Sequence, residues 1–267
     1  IDIVSAQYNI SSGADISAMK PAGKGYAIEV RVTAEKAALD ADGVMQLLPH
    51  PGKIVEYFVP EQDNMEIISM LAEGKEVSPY YDSLIAQFIC TGKDRNDTVK
   101  KMLAFLDKVV IKGIATNIPL LKRILNDEVF LKGVYDTTYL PKLMARFDQQ
   151  AMIEEMEASA STGGDVVSIS VDGTEELKVI AQSSGIFYRA SSPAEPDFAM
   201  EGDIVSVDQT LGLMEAMKMF SPLNLSTFNR PDAVLYDANK KFRIERIINS
   251  NGQQVSSGDL LYIITPL

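Results

Sequence analysis

Lys218 stands alone among apolar neighbours in Leu211-Gly212-Leu213-Met214-Glu215-Ala216-Met217-Lys218-Met219-Phe220. A lysine in such a run belongs on a turn, where its amine reaches water while the flanking residues pack. There the amine serves as an attachment point on a rigid support, or it is simply a surface lysine on a β-hairpin. Arg31 is the second candidate. It sits in Tyr26-Ala27-Ile28-Glu29-Val30-Arg31-Val32, which alternates with period two. Ile28, Val30 and Val32 share one face; Ala27, Glu29 and Arg31 share the other. A guanidinium stays protonated and donates two hydrogen bonds, which suits an oxygen on which negative charge develops. The plain alternative is a surface arginine paired with Glu29 or Glu35. Cys90, in the strand-like Ile85-Ala86-Gln87-Phe88-Ile89-Cys90, reads as a small buried residue rather than a nucleophile. His50 lies between Pro49 and Pro51 and reads as a loop residue rather than a base. One histidine excludes a histidine-rich metal site, and no metal is assigned.

The elements that position these groups follow from periodicity and punctuation. Residues 1–13 read as the end of a helix stopped at Ser11-Ser12-Gly13. Tyr26 to Val32 is a strand, residues 33–46 a polar, alanine-rich excursion, and Lys53 to Val59 a second strand. A turn over Val77 to Asp82 leads into a strand over Ser83 to Thr91. Arg95 to Val109 is an amphipathic helix with Val99, Met102, Leu103, Leu106 and Val110 as its stripe. Asn117 reads as the N-cap of a helix over Leu120 to Leu125. Tyr139 to Glu157 is one helical pattern. Ser159 to Asp165 is a Ser/Gly-rich linker and the expected pivot. A strand and a hairpin at Asp172-Gly173 follow.

The C-terminal part holds an internal repeat. Gly202, Val205, Leu211, Leu213 and Met214 recur fifty positions on as Gly252, Val255, Leu261, Ile263 and Ile264. Two such halves predict a small β-sandwich with a pseudo-two-fold, and Lys218 follows the first half.

The chain has 267 residues, 46% of them apolar, enough for two domains with sizeable cores. The formal net charge of −12 argues against a nucleic-acid partner. No window reads as a membrane span. A single cysteine excludes an internal disulfide framework. The start reads neither as a signal peptide nor as an initiating methionine, as expected of a fragment or processed product.

Glu215-Ala216-Met217-Lys218-Met219 resembles the attachment motif of biotin carboxyl carrier domains, and residues 179–267 resemble biotinyl and lipoyl domains. The resemblance implies covalent biotin on Lys218. It implies that Glu215 and Ala216, with Met217 and Met219, form the footprint of a biotin protein ligase; packing is the equal alternative for the methionines. Ser191 to Phe198 resembles the thumb of acetyl-CoA carboxylase-type carriers. Gly25 to Arg31, Pro51-Gly52-Lys53-Ile54, Tyr80 to Ile85 and Gly113 to Ile118 stand in the order found in the C-terminal domain of biotin carboxylases. In that family, ATP and bicarbonate make carboxyphosphate and deprotonated biotin takes up the carboxyl group; by this resemblance Arg31 takes the catalytic role of stabilising charge on the ureido oxygen.

The resulting expectation is an α+β fold in two parts. Residues 1–144 form a biotin carboxylase C-terminal lobe of mixed sheet and helices, residues 145–178 a helix and linker, and residues 179–267 an all-β flattened barrel-sandwich. The resemblance implies a cytoplasmic ligase, most similar to acetyl-CoA carboxylase and so to enzymes of fatty acid biosynthesis. Pyruvate or oxoacid carboxylase subunits and lipoyl-type swinging arms are the alternatives. The implied partners are the ATP-grasp half, carboxyltransferase subunits that present the acyl-CoA, and biotin protein ligase. ATP, Mg and bicarbonate would be used by the complete enzyme and not bound here, because Pro21-Ala22-Gly23-Lys24-Gly25 lacks phosphate-loop spacing. The excursion from Asn224 to Lys241 has no counterpart in the resemblance.

Overall fold

The structure, a computed structural model, describes every residue except 1, 18–22, 24, 40–42, 159, 161–166, 172–173 and 226–238, and no side chains for 167–171, 174 and 175. The hinge expected at Ser159 to Asp165 lies outside these residues except for Ala160, whose backbone bridges to Gly113. The Asp172-Gly173 turn and most of the 224–241 excursion also lie outside them.

The N-terminal half is a layer of short sheets under helices. After α1 (Ile3–Ser11), β1 (Tyr26–Thr33) pairs antiparallel with β8 (Leu84–Gly92), which also pairs with β6 (Met65–Ser69). The alternation of β1 decides its faces: Val30 and Val32 are buried, whereas Glu29 and Arg31 face out. α2 (Arg95–Leu106) lays Val99, Met102 and Leu106 on this sheet, with Asp94 capping its N-terminus through the Asp97 N–H. Phe88 and Phe105 meet edge to face, with centroids 5.0 Å apart.

Four expectations change. Residues 33–46 are not an excursion; β2 (Glu35–Leu39) and β3 (Met45–Pro49) form a hairpin. Alanine and charge are poor strand signals, but Ala37 and Met45 bury against Met152 and Met156 of α6 (Gln149–Glu157), and tertiary packing overrides propensity. Lys53 to Val59 is two strands, β4 (Gly52–Lys53) and β5 (Glu56–Phe58), because they pair with different partners, β7 (Glu76–Val77) and β9 (Val110–Lys112). The pattern over Tyr139 to Glu157 breaks into α5 (Tyr139–Met144) and α6, restarted by the Asp148 cap. Asn117 does not cap α3 (Ile118–Asn126); its side chain is spent on β1. The short α4 (Glu128–Lys132) completes this half.

The C-terminal half is two packed sheets. One has the order β10 (Val167–Val171), β11 (Thr174–Ile180), β18 (Leu260–Pro266), β16 (Lys241–Ile247) and β13 (Ile204–Ser206). The other has β15 (Met219–Leu223), β14 (Gly212–Ala216), β12 (Gly185–Tyr188) and β17 (Gln253–Val255). Among the described residues the two remain open sheets rather than a closed barrel. The repeat is visible in them. The first copy places β13 in one sheet and β14 in the other; the second places β17 and β18 the opposite way round. Val205 with Val255, Leu211 with Leu261 and Met214 with Ile264 fill equivalent places in one core. Gly202 and Gly252 open the copies at φ +92° and +76°, values that a side chain rarely adopts.

Candidate functional site

Lys218 is exposed at the end of the β14–β15 hairpin. The strands pair from Gly212↔Leu223 to Ala216↔Met219, so only Met217 and Lys218 form the turn. Both have positive φ, +51° and +64°, as a type I′ connection requires. Asparagine and glycine are the usual occupants; a methionine and a lysine there each cost roughly 1–3 kcal/mol of backbone strain. Four-stranded pairing behind the turn holds it rigid and projects the amine into solvent. Glu215 is half-buried rather than solvent-exposed, because the Tyr188 hydroxyl donates to its Oε2 at 2.7 Å. That bond raises the Tyr188 pKa and keeps the phenol a donor. Ala216 is buried, and Met219 and Phe220 are exposed beside the lysine.

Met217 is different. The residue is 5% exposed and belongs to the core of the N-terminal half, with Val30, Val32 and Phe88 in the same cluster. Its N–H donates to the Pro79 carbonyl at 2.5 Å. Pro79 lies in the turn that leads through Tyr80-Tyr81-Asp82-Ser83 into β8. The hairpin tip therefore touches the N-terminal half, and a second contact lies along the same seam, where Lys36 Nζ donates to Gln182 Oε1 at 2.7 Å. Burial holds the Lys36 ammonium below the usual lysine range, with Glu157 partly opposing.

Arg31 projects from the outer face of β1, with a side chain 59% exposed. Its Nη1 lies 3.9 Å from Glu29 Oε1, a loose contact at the limit of an ion pair. Glu29 is held by the Gln87 amide at 2.7 Å, across the strand pair. Glu35 is not a partner of Arg31: the hydroxyls of Thr33 and Ser83 both donate to it at 2.8 Å. The guanidinium is thus left available while its backbone is fixed. Asn117 does the fixing, accepting from the Thr33 N–H and donating to the Arg31 carbonyl, each at 3.0 Å.

Asn117 and Glu35 are positioning residues that sequence reasoning does not reach. The bonds of Asn117 span 84 and 86 positions and that of Glu35 to Ser83 spans 48, so they leave no local pattern. Met217 does leave a signal: a bulky residue where a type I′ turn prefers asparagine.

His50 and Cys90 are structural. His50 is buried, and its Nδ1 accepts the Ala115 N–H at 3.0 Å. Burial, with Lys36 nearby, pushes its pKa down to about 4, so the ring is neutral at pH 7. Burial raises the Cys90 thiol, against a bond from Asn64. The Ser191 to Phe198 loop is closed at its base by an Arg189–Asp197 ion pair at 2.5 Å.

Residues 29–142 match the family of the biotin carboxylase C-terminal domain. The chain is 33% identical over 141 residues to biotin carboxylase 1 of Bacillus subtilis, covering 52% of this chain and 30% of the relative. It is 29% identical over 181 residues to a pyruvate carboxylase subunit of Methanothermobacter thermautotrophicus, covering 64% and 36%. It is 34% identical over 146 residues to the mitochondrial propionyl-CoA carboxylase alpha chain of Caenorhabditis elegans, covering 54% and 20%. Among solved structures, a single-chain, multi-domain long-chain acyl-CoA carboxylase aligns over 99% of this chain and 24% of its own, at 25% identity and TM-score 0.46. The biotin carboxylase domain of the Hydrogenobacter thermophilus 2-oxoglutarate carboxylase aligns over 54% and 32%, at 33% identity and TM-score 0.45. The similarity to the C-terminal domain of biotin carboxylases lies within residues 29–142, and the chain spans about a third of the length of the first of these curated relatives.

Proposed function

We propose that this chain is the part of a biotin-dependent acyl-CoA carboxylase, acetyl-CoA carboxylase-like, that joins the carboxylase's C-terminal lobe to a biotin carrier. The observation that carries the reading is the lysine of Glu215-Ala216-Met217-Lys218-Met219, exposed on a two-residue turn at the end of a rigid hairpin. A primary amine so placed fits an amide to the biotin carboxyl group. When bound, biotin supplies a ureido nitrogen that takes up a carboxyl group and gives it away again.

The chain's own residues hold and stabilise. Lys218 carries the group at a fixed point on the hairpin, and Tyr188 keeps Glu215 in place behind it. Arg31 offers a permanently charged fork on the open face of β1, suited to an oxygen that gains negative charge. Asn117 fixes the strand that bears it, and Glu29 stands 3.9 Å away without holding the fork. ATP, Mg and bicarbonate chemistry is assigned to an ATP-grasp half, the acyl-CoA to carboxyltransferase subunits, and loading to biotin protein ligase. A cytoplasmic enzyme is the setting proposed.

The acetyl-CoA type of layout is preferred on spacing. α6 ends at Glu157 and β10 begins at Val167, which leaves no room for a further domain between lobe and carrier. A lipoyl arm would use the same hairpin geometry and differs in the group attached. Co-expression with a biotin protein ligase is expected to make the chain bind streptavidin, and Lys218→Arg to abolish the binding. Binding that survives the substitution would remove Lys218 as the attachment site.

A further inference from the structure

We infer that Met217 is a positioning residue that docks the Lys218 hairpin on the carboxylase-like lobe. Methionine is in local conflict with its backbone here. At φ +51°, in a two-residue turn, it is a poor choice, and asparagine or glycine would relieve the strain. Packing within its own sheets does not explain it, because Met217 has no place in the sandwich core. It is buried instead in the cluster built from β1, β8 and α2. A residue that breaks a local rule while satisfying a distant one marks a selected contact.

The contact is also directional. The Met217 N–H is an outward-facing turn donor with no partner inside the hairpin ladder, and it donates to the Pro79 carbonyl. Backbone and side chain of one residue thus engage the lobe together, one at the Ser78 to Asp82 turn and the other in the core beneath. Lys36 bonded to Gln182 fixes a second point, which restrains rotation about the first. Lys218, next in sequence, remains exposed. Docking therefore fixes the place from which a group on Lys218 starts, without burying the attachment atom. The docked contact needs no biotin; only its consequence for the carried group rests on the function proposed above.

Met217→Asn separates the two demands on this position. Asparagine suits the positive φ, so the turn is retained, but it removes the apolar anchor. The measurement is amide hydrogen exchange in the full chain. In the unsubstituted chain the Met217 amide is expected to exchange roughly tenfold or more slowly than an open turn amide. In Met217→Asn the amide at position 217 loses that protection, while Met214 and Ser221, paired across the hairpin, keep theirs. A Met217 amide that exchanges at the open rate in the unsubstituted chain would overturn the inference, and this needs no variant to fold. Unchanged protection at position 217 in a folded Met217→Asn chain would also overturn it. In the complete enzyme, Met217→Asn is expected to slow carboxylation of the attached biotin severalfold and leave free biotin unaffected. Streptavidin binding by the unsubstituted chain reports attachment separately, so a failure of the carrier reading is distinguishable from a failure of docking.

Discussion

Arg31 is held by its backbone, not by a partner on its charged end. Asn117 clamps the strand, and among the described residues the nearest carboxylate to the guanidinium is 3.9 Å away. Arg31→Ala in the complete enzyme is therefore expected to slow biotin carboxylation by at least tenfold, with ATP affinity changed far less. Steady-state kinetics with ATP and biotin varied separately check this; equal losses in both would make Arg31 structural. His50 makes a different kind of prediction. Its folded pKa, about 4, lies below the ordinary histidine value of 6.5, so the unfolded chain binds more protons between these values. Stability is full above pH 6.5 and falls as pH drops towards 4, by up to about 3 kcal/mol from this group. As the single histidine, it can be isolated by difference. Urea denaturation of the unsubstituted chain and of His50→Gln across that window should show the difference in stability between them shrinking as pH falls. At this scale the sequence is informative about residue type and silent about partners. The placement of Arg31 on an outer strand face, of Lys218 on a turn and of Cys90 in the core is legible from their neighbours in the chain. Asn117 reads as a cap in the sequence, because the two backbone groups it satisfies lie far away along the chain.

At the scale of elements, strong periodicity is readable and composition without periodicity is not. β1 falls where alternation puts it, and α2 starts where its stripe does but stops at Leu106, before the expected Val109, because Val110 is drawn into β9. The β2–β3 hairpin is hidden because its buried side is alanine and methionine, which carry little strand signal, and its stability comes from α6. The division of Lys53 to Val59 is hidden because it reflects which strands lie alongside, not a break in hydrophobicity. Gly113 shows how tight that region is. It has φ +101°, and a Cβ there would meet the Lys53 carbonyl oxygen and, at 2.9 Å, the Val55 nitrogen. Gly113→Ala is expected to destabilise the lobe by about 2 kcal/mol or more. A urea midpoint unchanged by the substitution would show that the β4–β5 junction yields easily. The repeat is the most legible feature of the C-terminal half, since its glycines and paired core residues recur at one fixed spacing.

At the scale of the whole molecule, two cores meet along a seam made by the hairpin tip on one side and Lys36 with Gln182 on the other. The sequence separates the halves but carries no sign that the tip of one is buried in the other. The 267-residue chain by itself is expected to show no ATP-dependent carboxylation of free biotin, because its residues offer no phosphate loop. Bicarbonate-dependent ATP hydrolysis by the purified chain would contradict that. The central claim is that Lys218 carries biotin, and the most direct test is tandem mass spectrometry of the chain after co-expression with an active biotin protein ligase. The account predicts a single biotinyl group, in amide linkage, on Lys218. A lipoyl group on Lys218, biotin on another lysine, or an unmodified chain would contradict it.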